Sequence, residues 1–305
     1  MTMELSDPVF HDEEEARKYL EDIRWPDGAY CPFCGSPDAV KALGGVSMGA
    51  GWHHCGFCRK KFTVRVGSIF ERSHVPLTKW LLAFRLMCSS KKGISAHQLH
   101  RTLDVTYKTA WFMEHRIREA MKAGAVFTPL SGIIEADETF IGKRRPKREK
   151  ERGWDFKNKV VTLVERGGRA RSVHVDELSR RNIEEIVTGL TDYKITRLMT
   201  DESGIYKRAG KRFKSHESVN HKAEEYVRGD VHTNSAEGFF SIFKRGMKGV
   251  YQHCSEKHLH RYLSEFDFRY SNRVALGVDD ELRTARALKG AEGKRLTYRQ
   301  PAKGP

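Results

Sequence analysis

The chain has 305 residues, with 55 Lys and Arg against 40 Asp and Glu, a formal net charge of +15 and a pI near 9.6. This length accommodates one large domain with one or two small ones, and the basic balance favours polyanionic partners, above all nucleic acid. No apolar run of about 18 residues occurs and the start is acidic, so we expect neither a membrane span nor a secretory signal. Residues 1–24 are predicted to form an N-terminal helical segment.

Two short cysteine pairs, CPFC and CGFC, stand 20 residues apart in residues 25–72. Two tight turns of this kind present four thiolates to one tetrahedral zinc ion, and Pro32, Gly35 and Gly56 supply the turn chemistry. The predicted ligands are Cys31, Cys34, Cys55 and Cys58. Neighbouring His53 and His54 are alternative ligands, although with four thiolates present we expect them to flank the site. A closed four-thiolate site leaves no open position, so this Zn²⁺ is predicted to be structural.

Helical spacing dominates residues 73–125. A core helix is predicted from Pro76, followed by a short helix opened by Ser95, a break near Asp104 and a second helix over 106–121. This spacing is typical of a helix-turn-helix, whose second helix would present Thr106, Tyr107 and Lys108 to DNA. A plain helical hairpin that joins two domains is the alternative.

The pattern changes to strands from about residue 130. A strand, a hairpin turning at Gly167 and Gly168, a helix, another strand and further helices follow in order, as in an RNase H-like mixed sheet. The overall prediction is a multidomain α+β protein. Asp137 lies in the first strand and Asp201 ends the later one, where side chains of neighbouring strands can converge, and Glu237 lies on the helix after them.

Four motifs carry a family resemblance: EADETFIGK, TDESGIY, HTNSAEGFFSIFKRGMKGVYQH and YLSEFDFRYSNR. In this order, behind the cysteine pairs, they resemble the insertion-sequence transposases with an N-terminal zinc ribbon and a DDE catalytic domain, which are related to the Merlin-type elements. The similarity runs from about Trp25 to Arg273 and places the catalytic domain at 130–273.

The resemblance implies that Asp137, Asp201 and Glu237 hold two Mg²⁺ or Mn²⁺ ions, because phosphoryl transfer between DNA strands uses such a pair. Lys244 matches the trailing lysine of the family and, with Arg245, is expected to contact the DNA backbone. Asn234 is the alternative third ligand, and His232 could contact a metal or the phosphate.

Other charged groups near these acids have expected roles as well. Strand alternation puts Glu135 on the face of Asp137 and turns Glu138 away, and Glu202 is likewise expected to point elsewhere. A dense basic run over 142–159 is predicted to be a loop that orders on DNA, through Lys143, Arg144 and Arg145. Residues 274–305 are expected to form a frayed basic tail.

The resulting prediction is a DNA transposase of the bacterial cytoplasm, associated with the nucleoid. It would bind terminal inverted repeats and target DNA as a homodimer or higher oligomer, cleave a phosphodiester and transfer the strand. The alternatives are an inactive transposase-derived DNA-binding regulator and an RNase H-like nuclease.

Overall fold

A computed structural model describes residues 4–45, 48–124, 128–142, 157–220 and 223–297. The chain forms two compact units. Unit 1 contains Met1–Ser90, Ile94–Lys122 and Val278–Pro305, and unit 2 contains Lys91–Gly93 and Ala123–Gly277. Within the described ranges, no helix is long and apolar enough to cross a membrane.

Unit 1 begins with a helix and a small sheet. Helix α1 spans Glu13–Arg24 and is capped by Asp12, whose carboxylate accepts the amides of Glu14 and Glu15. Three antiparallel strands follow in the order β1-β2-β3, with bounds β1 Val40–Leu43, β2 Trp52–Cys55 and β3 Lys61–Phe62.

The predicted core helix is present as α2, Leu77–Ser89, with Leu77, Trp80, Leu81, Phe84 and Cys88 all buried. The next two helices, α3 Ala96–Leu103 and α4 Tyr107–Met121, have the predicted boundaries within one residue. Ser95 caps α3, Asp104 ends it in the left-handed conformation and Thr106 caps α4. The short connection makes the two helices neighbours, as in the predicted helix-turn-helix.

The C-terminal part of unit 1 differs from the expected tail, because helix α9 spans Asp280–Lys289 and buries Ala287 and Leu288. Arg283 donates to the carbonyl of Cys88 at 2.9 Å, which ties α9 to the end of α2. The chain then pairs with the segment after β3, where the amide of Gly293 donates to Gly67 and the carbonyl of Ala291 accepts from Ile69. These residues are therefore an integral part of the unit.

Unit 2 contains a five-stranded mixed sheet of order β6-β5-β4-β7-β8. Strands β4, β5 and β6 are antiparallel neighbours, and β7 and β8 run parallel to β4. Their bounds are β4 Ile133–Ile141, β5 Asn158–Glu165, β6 Ala170–Val175, β7 Arg197–Thr200 and β8 Ser215–Ser218. This is the RNase H-like arrangement that the order of elements predicts.

Helices cover both faces of this sheet. On one face lie α5 Arg180–Leu190 and α6 Lys207–Gly210; on the other lie α7 Asn234–Gly246, continued by a π-helical turn over Met247–Tyr251, and α8 Glu256–Ser271. Four phenylalanines, Phe239, Phe240, Phe243 and Phe266, join the second core. Alternation along β4 therefore points Glu135, Asp137 and Thr139 towards α7 and α8.

Candidate active site and metal centre

The four predicted cysteine ligands form one cluster in unit 1. Their sulfur atoms all lie within 4.8 Å of one another, with Cys31 to Cys58 at 3.5 Å and Cys34 to Cys55 at 3.6 Å. Bonds of about 2.3 Å to one tetrahedral Zn²⁺ would set sulfur atoms roughly 3.8 Å apart. The donor set and its spacing therefore fit a structural zinc ion.

The histidines beside the cluster are not among its ligands. His53 on β2 stacks on Phe62 with ring centroids 5.5 Å apart and meets Trp25 edge-on at 5.3 Å. His54 lies opposite Lys41 and Lys61 on the neighbouring strands. His53 is thus packed between the aromatic rings of Trp25 and Phe62.

The three predicted acids come from three elements of unit 2. Asp137 is central in β4, opposite Thr162 of β5. Asp201 follows the last residue of β7, the parallel neighbour of β4. Glu237 lies in the first turn of α7, where it is exposed while the two aspartates are half-buried. Strand pairing and helix packing thus bring acids that are distant in sequence to one end of the sheet.

The electrostatics of Asp137 show that these carboxylates influence one another. Burial first, and then the charges of Glu138, Asp201 and Glu237, together raise its pKa to about 7, against the lowering effect of the Glu138 amide, which donates to Asp137 Oδ1 at 2.7 Å. A bound cation would relieve this repulsion. Within the described ranges only the cysteines bring three or more ligand atoms together within 4.8 Å, so the acids are more widely spread than the ligands of one compact site.

Glu138 points to the opposite face of the sheet, as alternation predicts, but it remains coupled to the acidic site. Tyr206 donates its hydroxyl to Glu138 Oε2 at 2.8 Å. Burial raises the pKa of Glu138, and the charge of Asp201 raises it too. Glu138 therefore adds negative charge behind Asp137.

Glu135 has a more extensive set of partners than its sequence position suggests. Its side chain is fully buried and accepts the backbone amides of Ser235 at 2.6 Å and Ala236 at 3.1 Å, at the start of α7. Arg166 donates to Glu135 at 2.6 Å and also to the carbonyls of Asp230 and His232. Glu135 thus fixes the end of α7 that carries Glu237.

The two alternative ligands occupy different places at the start of α7. His232 turns Nδ1 towards Arg166 at 3.1 Å and Glu135 at 3.3 Å, so this ring belongs to the Glu135 network. Asn234 is exposed as the first residue of the helix. Of these candidates, Glu237 is the one whose charge acts on Asp137.

The predicted DNA-contacting residues lie in three places. Lys244 is on α7 with its ammonium 5.8 Å from the ring centroid of Phe240, and Arg245 is exposed and donates to Ser241. The helix-turn-helix residues Thr106, Tyr107 and Lys108 are exposed at the start of α4. Three further predicted residues, Lys143, Arg144 and Arg145, lie outside the described residues.

Comparisons with known proteins agree with this architecture. The transposase zinc-ribbon domain family matches residues 11–61, and the ISXO2-like transposase domain family matches residues 129–271, so that the two matches together span more than half of the chain. The chain belongs to the insertion-sequence transposases. Its zinc ribbon and transposase domain coincide with the cysteine cluster of unit 1 and the five-stranded sheet of unit 2.

One relative of this transposase is an uncharacterized protein in transposable element ISH50 of Halobacterium salinarum, 28% identical over 284 residues, which cover 86% of this chain and 92% of the relative. Among solved structures, a pre-cleavage Mos1 transpososome aligns with a TM-score of 0.31 and 11% identity over 67% of this chain and 75% of that chain. A simian T-cell lymphotropic virus intasome in complex with a PP2A regulatory subunit aligns with a TM-score of 0.23 and 12% identity over 41% of this chain and 51% of that chain.

Proposed function

We propose that this transposase cleaves a phosphodiester at the end of its element, frees a 3′-hydroxyl and directs that hydroxyl onto a phosphodiester of target DNA. The observation that supports the proposal is the approach of three carboxylates from β4, the end of β7 and α7, close enough that Asp201 and Glu237 raise the pKa of Asp137. Both reaction steps are in-line displacements at phosphorus, so one site serves them in turn.

Asp137, Asp201 and Glu237 would hold two Mg²⁺ or Mn²⁺ ions, which supply activation of the attacking oxygen and stabilisation of the leaving oxygen. The donors fit such ions, because all three are carboxylates and hard cations prefer oxygen ligands. The raised pKa of Asp137 also means that a proton competes with the metal at this oxygen. Metal loading should therefore improve as the pH rises through about 7.

Basic side chains would position the DNA around this site. Lys244 lies seven residues after Glu237, about 10 Å along α7, where it reaches flanking phosphates rather than the metals. Arg245 and the loop residues Lys143, Arg144 and Arg145 would add backbone contacts. In unit 1, Thr106, Tyr107 and Lys108 would read base edges of the terminal inverted repeats.

Joining two element ends in concert requires at least two active sites, so we expect a homodimer or higher oligomer on DNA. The protein would act where the bacterial chromosome is, at the nucleoid in the cytoplasm. These expectations follow from membership of the transposase family.

The proposal is tested by a strand-transfer assay with a supercoiled plasmid that carries both element ends, in Mg²⁺ or Mn²⁺. Asp137→Asn, Asp201→Asn and Glu237→Gln should each lower cleavage and joining by more than about a hundredfold while binding to the ends survives. Asp192→Asn, at a loop outside the site, is the control. Full activity of the three variants would refute the proposal.

Other outcomes of the same assay distinguish the alternatives. If Glu237→Gln stays active and Asn234→Ala is inactive, Asn234 and not Glu237 is the third ligand. A wild-type protein that binds the ends without cleaving them would be a regulator. Cleavage without preference for the ends would indicate a nuclease.

A further inference from the structure

Two exposed phenylalanines occupy equivalent positions on the zinc ribbon. The chain has 16 phenylalanines, yet among the described residues Phe33 and Phe57 are the phenylalanines that stand out as exposed, with 48% and 79% of their surface accessible. Each is the third residue of its C-x-x-C turn. Most large apolar side chains are buried in folded proteins, so two exposed rings at matched sites suggest a contact surface.

The two turns have the same backbone shape, which puts the rings in equivalent places. The residue after each second cysteine is left-handed, with φ +75° at Gly35 and +58° at Arg59. Both turns hold the same four-sulfur cluster. Lys60 joins them, because its ammonium lies 4.6 Å from the ring centroid of Phe33. We call the set Phe33, Phe57, Arg59 and Lys60 the ribbon tip.

Arg59 is the informative residue of this tip. A left-handed backbone suits glycine and is strained for most other residues. The first turn has glycine at this place and the second has an exposed arginine. An arginine at a site where glycine would be relaxed suggests that its guanidinium serves a purpose outside the fold.

Positive charge continues from the tip across the small sheet. Lys41 of β1, His54 of β2 and Lys61 of β3 are direct neighbours across the strands and therefore share one face. Lys41, Arg59, Lys60 and Lys61 are all exposed. Exposed aromatic rings that lie among cationic side chains match a partner that is a polyanion and also has flat apolar surfaces. DNA has both properties, with charged phosphates and flat bases, to a greater extent than a protein or a lipid surface.

We infer that the ribbon tip is a binding site for double-stranded DNA, in which Arg59 and Lys60 contact phosphates while Phe33 and Phe57 pack against sugars and base edges. The inference rests on the proposed function, since it names the surface through which unit 1 would hold an element end. Cations provide affinity that falls with salt, whereas apolar ring contacts with bases do not depend on salt in this way.

The experiment measures fluorescence anisotropy of the full-length, zinc-loaded protein with a duplex of the element's terminal repeat and a scrambled duplex of equal composition, over a salt series. Phe33→Ala with Phe57→Ala should raise Kd about tenfold at every salt concentration without changing the slope of log Kd against log salt. Tyr226→Ala, which removes an exposed aromatic ring in unit 2, should leave Kd unchanged.

Arg59→Gly is the sharper variant, because glycine relaxes the left-handed backbone. This protein should keep its zinc and unfold at the same or a higher temperature, yet bind DNA several-fold more weakly with a salt slope smaller by about 0.9. A loss of DNA binding therefore cannot arise from unfolding.

Wild-type affinity in both the phenylalanine pair and Arg59→Gly, with full zinc content, would overturn the inference. It would also be overturned if the phenylalanine variant bound DNA normally but changed the mass of the protein in light scattering, because the tip would then contact protein. A wild-type protein that binds neither duplex would instead count against the proposed function.

Discussion

Glu135 shows how a single side chain can set the position of the helix that carries Glu237. Its buried carboxylate binds two amides at the start of α7 and the guanidinium of Arg166, and Arg166 also holds the segment that leads into the helix. Glu237 lies in the same first turn of the helix. The carboxylate also complements the positive end of the helix dipole. Glu135 is therefore a positioning residue for Glu237.

Glu135→Gln should keep the fold but lower both stability and activity. An amide can accept from only part of this network and leaves Arg166 without its charged partner, so the free energy of unfolding should fall by about 1.5–3 kcal/mol. Strand transfer should fall at least about tenfold, because Glu237 is less well placed. For the same reason, the Mn²⁺ concentration that half-saturates the site should rise.

The control is Glu217→Gln, which removes a more exposed partner of Arg197, 2.9 Å away on the same sheet. Such a surface pair contributes at most about 1 kcal/mol. Calorimetric titration of Mn²⁺ shows whether Glu135 positions Glu237 or only supports the fold. If Glu135→Gln loses stability while its Mn²⁺ midpoint and transfer rate stay normal, the residue supports the fold and does not position the site.

Among the helices, α8 is held to the sheet by a polar contact as well as by its apolar face. The carboxyl group of Asp267 accepts hydrogen bonds from the backbone amide of Ser172 at 2.7 Å and from its hydroxyl at 2.6 Å. The hydroxyl of Ser172 also lies 2.9 Å from the hydroxyl of Thr162 on the neighbouring strand. Burial outweighs the lowering effects of the Ser172 contacts and of Arg171, so the pKa of Asp267 is raised from 3.8 to about 7. The carboxyl group of Asp267 therefore stays protonated in the folded protein up to about pH 7, whereas in the unfolded chain it loses its proton near pH 4.

Between about pH 4 and 7 the folded protein binds this proton and the unfolded chain does not, so the contribution of Asp267 to stability declines as the pH rises through that window. Asp267→Asn does not titrate, and its amide oxygen can still accept from Ser172. The fall in melting temperature between pH 5 and pH 8 should therefore be smaller in this variant than in the wild type. An unchanged fall, equal to that of the exposed control Asp22→Asn, would contradict this account.

Patterns of neighbouring residues in the sequence predicted many of these helices, strands and side-chain orientations. Cysteine spacing predicted the four-cysteine cluster, capping residues predicted α3 and α4, and strand alternation placed Asp137 and Glu138 on opposite faces. Glu135 and Arg166 lie 31 residues apart, and Glu135 reaches Ser235 across 100 residues. No local pattern contains such a contact, which exists only once the sheet has formed and α7 packs on it.

Helix α9 was missed for a different reason. Its buried face consists of Arg283, Thr284, Ala287 and Leu288, which is a weak apolar stripe beside many basic residues. A chain end rich in Arg and Lys is ordinarily frayed. Here the guanidinium of Arg283 can be buried because it donates hydrogen bonds to the carbonyl groups of Cys88 and Val278.

At the scale of the whole molecule, unit 1 is built from two distant parts of the sequence, because α9 and the residues after it pack with the N-terminal helices. Arg24 of α1 donates to the carbonyls of Val64 and Val66 and also meets Glu292. Lys294 donates to the carbonyls of Ala120 and Lys122 at the end of α4, where a cation complements the helix dipole. The transposase domain is therefore inserted between two parts of one folded unit.

Gly290 tests this dependence on the C-terminal segment, because it follows α9 and packs against the backbone of Ala120 in α4. A Cβ at this position would stand 2.4 Å from the carbonyl oxygen of Ala120, whereas the backbone φ of −67° suits any residue. Gly290→Ala should thus act through crowding alone and destabilise unit 1 by about 1–3 kcal/mol. A Cβ at Gly44 would meet nothing within 4 Å, so Gly44→Ala is the matched control.

Intrinsic fluorescence can follow unit 1 in the intact chain, because four of the five tryptophans, Trp25, Trp52, Trp80 and Trp111, belong to it. On heating, the tryptophan transition of Gly290→Ala should occur roughly 3–8 °C below that of the wild type, and binding to the terminal repeat should be lost at correspondingly lower temperature. The Gly44→Ala transition should stay in place. If Gly290→Ala melted with the wild type, the C-terminal segment would be an appendage of unit 1 and not one of its structural parts.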